Sequence, residues 1–149
     1  MLFIKITCEE NCIIATSLSL SREMAWEIHG PASPELREKI SLWMTQYSQK
    51  QQPTVALPIK IDHLPPFTKK TLSQLSIVPF AQAVTYQQLA RSLDNPQAAR
   101  AVGNSCGANP CPLIIPCHRV LAANGKLGGF SCGLPIKKAL LAHEGIQLA

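Results

Sequence analysis

Three short stretches near the start of the chain, Leu2 to Thr7, Cys12 to Leu20 and Met24 to His29, are rich in β-prone residues and set apart by polar or turn residues. That pattern predicts three strands, and their close succession predicts an antiparallel meander. The apolar period then lengthens. Leu36, Ile40, Trp43, Met44 and Tyr47 recur along one face of a helix that Ser33 can cap and Pro34 can open, with both aromatics facing the core. Gln49 to Gln52 and Pro53 close this helix, and Val55 to Ile61 reads as one more strand. His63-Leu64-Pro65-Pro66 reads as a connection, which divides the chain into domains 1–64 and 65–149.

The second part is helical in its periodicity. Thr68 to Ser76 forms a short helix, and Thr85-Tyr86-Gln87-Gln88 is a capping box opening another that runs to about Leu93. Asp94-Asn95-Pro96 makes a turn, after which Asn95 caps a second helix with Pro96 at its first position, ending at Gly103. Two short helices across such a turn form a helix-turn-helix. Around Arg100 its side chains are small, Ala98, Ala99 and Ala101, which lets the surface approach a nucleic acid backbone and serves helix packing equally well. Asn109-Pro110-Cys111-Pro112 leads into an apolar run, Leu113-Ile114-Ile115, with the character of a buried strand. Gly125, Gly128, Gly129 and Gly133 then make a backbone that a ligand can approach closely. A last helix spans about Pro135 to Glu144, with Lys137 and Lys138 on one side and Leu140 and Leu141 toward the core. The fold class is α/β in the mixed α+β sense.

The chemistry concentrates in Pro116-Cys117-His118-Arg119-Val120. A thiol followed by two cationic or titratable side chains sits where its pKa can be lowered, which marks a nucleophile; a free cysteine otherwise behaves as a small buried hydrophobe. In an extended strand Cys117 and His118 would point to opposite faces, so for the two to cooperate the backbone must bend or a water must bridge them. A special loop is expected here.

Composition narrows the class. The chain has 149 residues, enough to bury a core without external staples. It lacks any run near the ~18 consecutive apolar residues of a membrane span. Lys5, Glu9 and Glu10 lie where a secretory signal would be apolar, so an intracellular protein is expected, cytoplasmic, or nuclear in a eukaryote, with no membrane partner. Its six cysteines are then reduced thiols. Residues 76–149 carry six Lys and Arg against two acids, Asp94 and Glu144, a basic balance that suits a polyanion such as nucleic acid.

Val84-Thr85-Tyr86-Gln87-Gln88-Leu89-Ala90, Ala98-Ala99-Arg100-Ala101-Val102-Gly103, Asn109-Pro110, Pro116 to Val120 and Leu140-Leu141-Ala142-His143-Glu144-Gly145, in that order and spacing, resemble the O6-alkylguanine-DNA alkyltransferases over residues 65 to 147. The resemblance implies a small ribonuclease-H-like N-terminal domain and a mostly helical C-terminal domain with a helix-turn-helix. It implies a monomer that acts on double-stranded DNA containing O6-alkylguanine, without cofactor or metal. Cys117 would accept the alkyl group irreversibly, His118 would take the thiol proton through a water, and Glu144 would orient that imidazole. Tyr86 would donate to the departing guanine, Asn109 would brace the turn, and Arg100, with Ala98 and Ala99 beside it, would fill the gap left by a flipped base. Val120, Phe130 and Ser131 would border the guanine pocket.

The chain departs from the family pattern at Phe130, where tyrosine is frequent, and at Cys132-Gly133, where two glycines are frequent. Ala81 stands where glycine is frequent and Leu72 where tryptophan is frequent; both read as packing changes. Zinc at Cys8, Cys12, His29 and His63 matches no ligand spacing. The alternative is a non-catalytic alkylated-DNA-binding module, which would lack the acceptor cysteine. A cysteine hydrolase would need a distant base in a motif of its own, and a helix-turn-helix regulator would leave His118 and Glu144 without a role.

Overall fold

The computed structural model describes residues 1–148. Strands β1 (Leu2–Glu9) and β2 (Cys12–Leu20) form an antiparallel hairpin whose turn residues, Glu10 and Asn11, both have positive φ. This is the twist that a two-residue hairpin turn requires. Strand β3 (Ala25–His29) does not continue a meander. It crosses to the far side of β1 and pairs with it in parallel, giving the order β2-β1-β3. The connection passes the start of β1, where the Ser21 N–H donates to the Met1 carbonyl at 2.9 Å. β1 takes the centre because it carries the fullest buried face, Leu2, Ile4, Ile6 and Cys8, and a central position covers that face best.

Helix α1 (Pro34–Ser48) follows the sequence expectation: Ser33 Oγ accepts from Leu36 N–H, and the buried residues are Leu36, Ile40, Trp43, Met44 and Tyr47. The expected strand at Val55–Ile61 reduces to one bridge, Ile13 to Ile59, with hydrogen bonds on either side of Ile13 to Pro58 and Lys60. Pro53 and Pro58 lack the N–H donors that a longer ladder needs.

Helices α2 (Pro66–Leu75), α3 (Tyr86–Ser92) and α4 (Ala99–Gly107) pack on one another. The capping box at the start of α3 is formed in both directions between Thr85 and Gln88. α4 differs from expectation at both ends. Asn95 to Ala98 close a turn of their own, Ala98 N–H to Asn95 carbonyl at 3.0 Å, so the helix starts at Ala99 and Asn95 caps nothing. It then runs through Gly103, because burial of Val102, Ser105 and Cys106 outweighs the ~1 kcal/mol that a helical glycine costs. The two-residue strands β4 (Val84–Thr85) and β5 (Val120–Leu121) pair in parallel, and α5 (Leu134–His143) ends the described fold. One cluster of buried apolar side chains runs from Leu2 and Ile40 to Val102 and Leu140. Among the described residues no helix is long and apolar enough to cross a membrane.

Candidate active site

Leu113-Ile114-Ile115 is not a strand but a compact turn, in which Ile115 N–H reaches the Cys111 carbonyl at 2.9 Å and Leu113 adopts φ 79°. Proline at 110 and 112 removes ladder donors, while burial of Leu113 and Ile115 holds the strained backbone in place. Asn109 braces the turn from inside: its Nδ2 donates to the Ile115 carbonyl and its Oδ1 accepts from Cys111 N–H, both at 2.9 Å. β2 braces it from outside, with Thr16 N–H on the Pro110 carbonyl and Thr16 Oγ1 on the Pro112 carbonyl.

Pro116 (φ −81°, ψ 63°) then makes an inverse γ-turn, closed by Cys117 N–H to the Ile115 carbonyl at 2.8 Å, and Cys117–Arg119 form one 3-10 turn. The bend expected from Cys117-His118 is therefore present. It leaves Cys117 facing a cavity of about 180 Å³ lined by Tyr86, Gly103, Cys106, Gly107, Cys117, Gly129, Phe130 and Ser131. Gly128 (φ 68°) lies behind the Tyr86 ring, where a Cβ would come within 3.3 Å of it.

His118 and Arg119 reach into a buried ionic cluster around Glu144. His118 Nε2–H donates to Glu144 Oε2 at 2.5 Å; Arg119 Nε donates to Oε1 at 2.8 Å and its Nη2 to Oε2 at 3.2 Å. Tyr47 O–H adds a fourth bond, to Oε2 at 2.8 Å, and Ala81 N–H a fifth, to Oε1 at 3.1 Å. Burial by itself pushes the Glu144 carboxyl up, but His118 and the Arg119 guanidinium hold it well below the usual carboxylate range. Burial lowers the His118 pKa against the pull of Glu144, which favours the neutral imidazole, and among the described residues its buried Nδ1 has no hydrogen-bond partner. That nitrogen is a free base.

The expectation of a thiol with a lowered pKa is reversed. Burial pushes Cys117 up to about 12 against a hydrogen bond from Asn109, because the cationic neighbour, Arg119, is spent on Glu144. Lys137 is also placed differently from Lys138. It is fully buried, its Nζ donating to the Val120 carbonyl at 2.7 Å and the Gly129 carbonyl at 3.0 Å, and burial lowers its pKa to about 8. The spacing 137, 140, 141, 144 puts it on the inward face of α5, a signal available in the sequence.

Tyr86, Cys117, Phe130 and Ser131 thus meet at one cavity, with Asn109, His118 and Glu144 in the layer behind Cys117. Val120 is buried but does not line the cavity; Ala98, Ala99 and the exposed Arg100 lie at the start of α4, outside it. Tyr47 and Lys137 belong to the site's framework without a site role read from sequence, and Arg119, expected to act on the thiol, serves Glu144 instead. A buried tyrosine on an apolar stripe needs a partner for its hydroxyl, which was the available sign for Tyr47. Cys8, Cys12, His29 and His63 do not gather, and among the described residues no three His, Cys, Asp or Glu side chains form a metal cluster.

A family model described as 6-O-methylguanine DNA methyltransferase, DNA binding domain, matches residues 66–146. The chain belongs to this family. It is 37% identical over 134 residues to the human methylated-DNA–protein-cysteine methyltransferase, which covers 83% of this chain and 65% of that protein, and 41% identical over 133 residues to the Cricetulus griseus protein of the same name, covering 78% and 64%. The chain spans just under two thirds of the length of these relatives. A crystal structure of Mycobacterium tuberculosis OGT in complex with DNA has the same fold, with a TM-score of 0.73 at 23% identity over 95% of this chain and 92% of that one.

Ala81, read as a packing change, has positive φ (67°), the conformation that aims its N–H at Glu144. A left-handed alanine costs about 1–2 kcal/mol, part of which glycine returns through its looser unfolded chain. Ala81→Gly is therefore expected to raise stability by about 0.5–1 kcal/mol. A lower urea midpoint in the variant would contradict this account.

Proposed function

We propose that this protein repairs DNA by direct reversal, moving the alkyl group of O6-alkylguanine in double-stranded DNA onto its own Cys117, once per molecule. The observation that carries the reading is a cavity-facing thiol set in one turn with a neutral, buried His118 whose other nitrogen is bonded to Glu144. With its pKa near 12, Cys117 holds almost no thiolate at rest and needs a base at the moment of reaction. His118 Nδ1 takes the thiol proton through a water, and Glu144 stabilises the imidazolium that forms. The sulfur attacks the alkyl carbon, an S–C bond forms as the C–O6 bond breaks, and Tyr86, kept protonated by burial, donates to the leaving guanine. The thioether is a poor leaving group, so the thiol is not regenerated.

The cavity is small against the ~300–1,000 Å³ of drug-sized sites, and suits one flat base carrying a small group. Such a base reaches it only out of the duplex stack, which assigns Arg100 on α4, with Ala98 and Ala99 beside it, to the space the base leaves. Arg100→Ala is expected to slow reaction with duplex by about ten-fold or more and with free O6-alkylguanine by less than about two-fold, since the free base needs no extrusion. Equal losses on both would remove Arg100 from that role.

The direct test is intact-protein mass spectrometry after incubation with O6-methylguanine duplex, followed by peptide mapping. One added methyl, on Cys117 and at most one per chain, is expected. An unchanged mass with retained DNA binding would leave the non-catalytic alkylated-DNA-binding module.

A further inference from the structure

We propose that Tyr47, contributed by α1 of the N-terminal part, is a positioning residue for the alkyl transfer: its hydroxyl fixes the Glu144 carboxylate and sets how strongly it draws a proton onto His118. The inference rests on the alkyl-acceptor reading above and adds to it a residue from the half of the chain that the family model leaves unmatched.

Glu144 Oε2 is the oxygen on which the proposed relay depends, and Tyr47, His118 and Arg119 Nη2 share it, at 2.8, 2.5 and 3.2 Å. The Tyr47 ring is held on every side. It stacks on Trp43 at 5.5 Å and on His143 at 4.9 Å, meets Phe80 edge-on at 5.6 Å, and its own carbonyl accepts from His143 Nε2 at 2.7 Å. It is fully buried, and burial with the adjacent Glu144 carboxylate keeps the phenol protonated, so toward Glu144 it acts as a donor. A tyrosine clamped this firmly fixes the rotation of the carboxylate as well as satisfying it.

The charged and titratable groups facing this cluster are Arg119 and His118 from the 3-10 turn, Tyr47 from α1, and Lys137 and His143 from α5, with Lys137 acting on His118 through its charge. Arg119 is a permanent cation, and Tyr47 is a neutral donor that changes the basicity of Oε2 without changing the net charge. Removing the hydroxyl leaves Oε2 with less of its electron density engaged, strengthens its hold on an imidazolium, and raises the His118 pKa.

Tyr47→Phe keeps the ring and deletes the bond. In the rate of methyl transfer from O6-methylguanine duplex against pH, the rising limb is expected to move up by roughly half to one pH unit. The rate on that limb then falls about three- to ten-fold while the high-pH plateau stays within about two-fold of the parent. The ¹⁵N titration midpoint of the His118 ring should move the same way, a readout that packing alone does not shift. If Tyr47→Phe does not fold, ring-fluorinated tyrosine incorporated in a Tyr86→Phe background keeps the shape, strengthens the donor and should move the midpoint down. An unmoved limb and midpoint, whether the rate is unchanged or uniformly lower, would overturn the proposal. Absence of any transfer by the parent protein would instead overturn the reading beneath it, which keeps the two failures distinct.

Discussion

Cys117→Ala protein incubated with O6-methylguanine duplex should keep its mass unchanged while binding that duplex within about two-fold of the parent, because the proposed mechanism gives bond formation to one sulfur and DNA contact to a separate helix. The substitution is small, Cys117 is 4% exposed, and the turn that presents it is held by Asn109, Thr16 and the Pro116 γ-turn, none of which uses the thiol to close. The variant should therefore fold. The sharpest contrary result is a methyl found elsewhere. Cys106 lines the same cavity, so transfer to Cys106 in the variant or in the parent would reassign the acceptor. Burial raises the Cys106 pKa to about 11.

Glu144→Ala should cost about 3–5 kcal/mol of stability, the magnitude found when one partner of a buried ionic group is removed. The loss leaves the Arg119 guanidinium, His118 Nε2, Tyr47 O–H and Ala81 N–H facing an apolar gap. Glu144→Gln keeps the volume but replaces one acceptor oxygen with a donor, against neighbours that are all donors, and should slow transfer by about 100-fold or more through loss of the imidazolium's counter-charge. The acid limb of stability carries the same signature. Because the folded-state pKa of Glu144 is depressed, its contribution is present above the ordinary carboxyl value of 4.5 and is lost as pH falls from there toward about 2. His118, lowered from 6.5, adds a loss that begins below that value as the unfolded chain binds a proton the folded one resists. The denaturant midpoint of the parent should therefore fall in two stages, below pH 6.5 and more steeply below pH 4.5. A midpoint unchanged between about pH 7 and about pH 3 would show that the cluster does not govern acid stability.

Local rules with one dominant partner were legible. The α1 stripe with its Ser33 cap, the Thr85–Gln88 capping box, the short α2 helix and the bend that Cys117-His118 demanded all follow from a few neighbouring residues. The misreadings share a cause. Val55–Ile61 and Leu113–Ile115 are apolar enough for strands, but prolines deny them ladder donors and the core folds the second into a turn. β3 has the composition of a meander strand, and only the burial demand of β1 sends it to the other side.

By itself the sequence determined the family and the candidate residues for its chemistry, because the motifs around Tyr86, Arg100, Cys117 and Glu144 are short, ordered and local. The protonation states and alliances of those residues were decided only by the tertiary structure. Arg119 sits beside Cys117 in sequence yet neutralises Glu144, Lys137 turns from the solvent face to clamp two carbonyls, and Tyr47 reaches across 97 residues to the same carboxylate. Burial and long-range hydrogen bonds set those states, and neither is a property of any single stretch of chain.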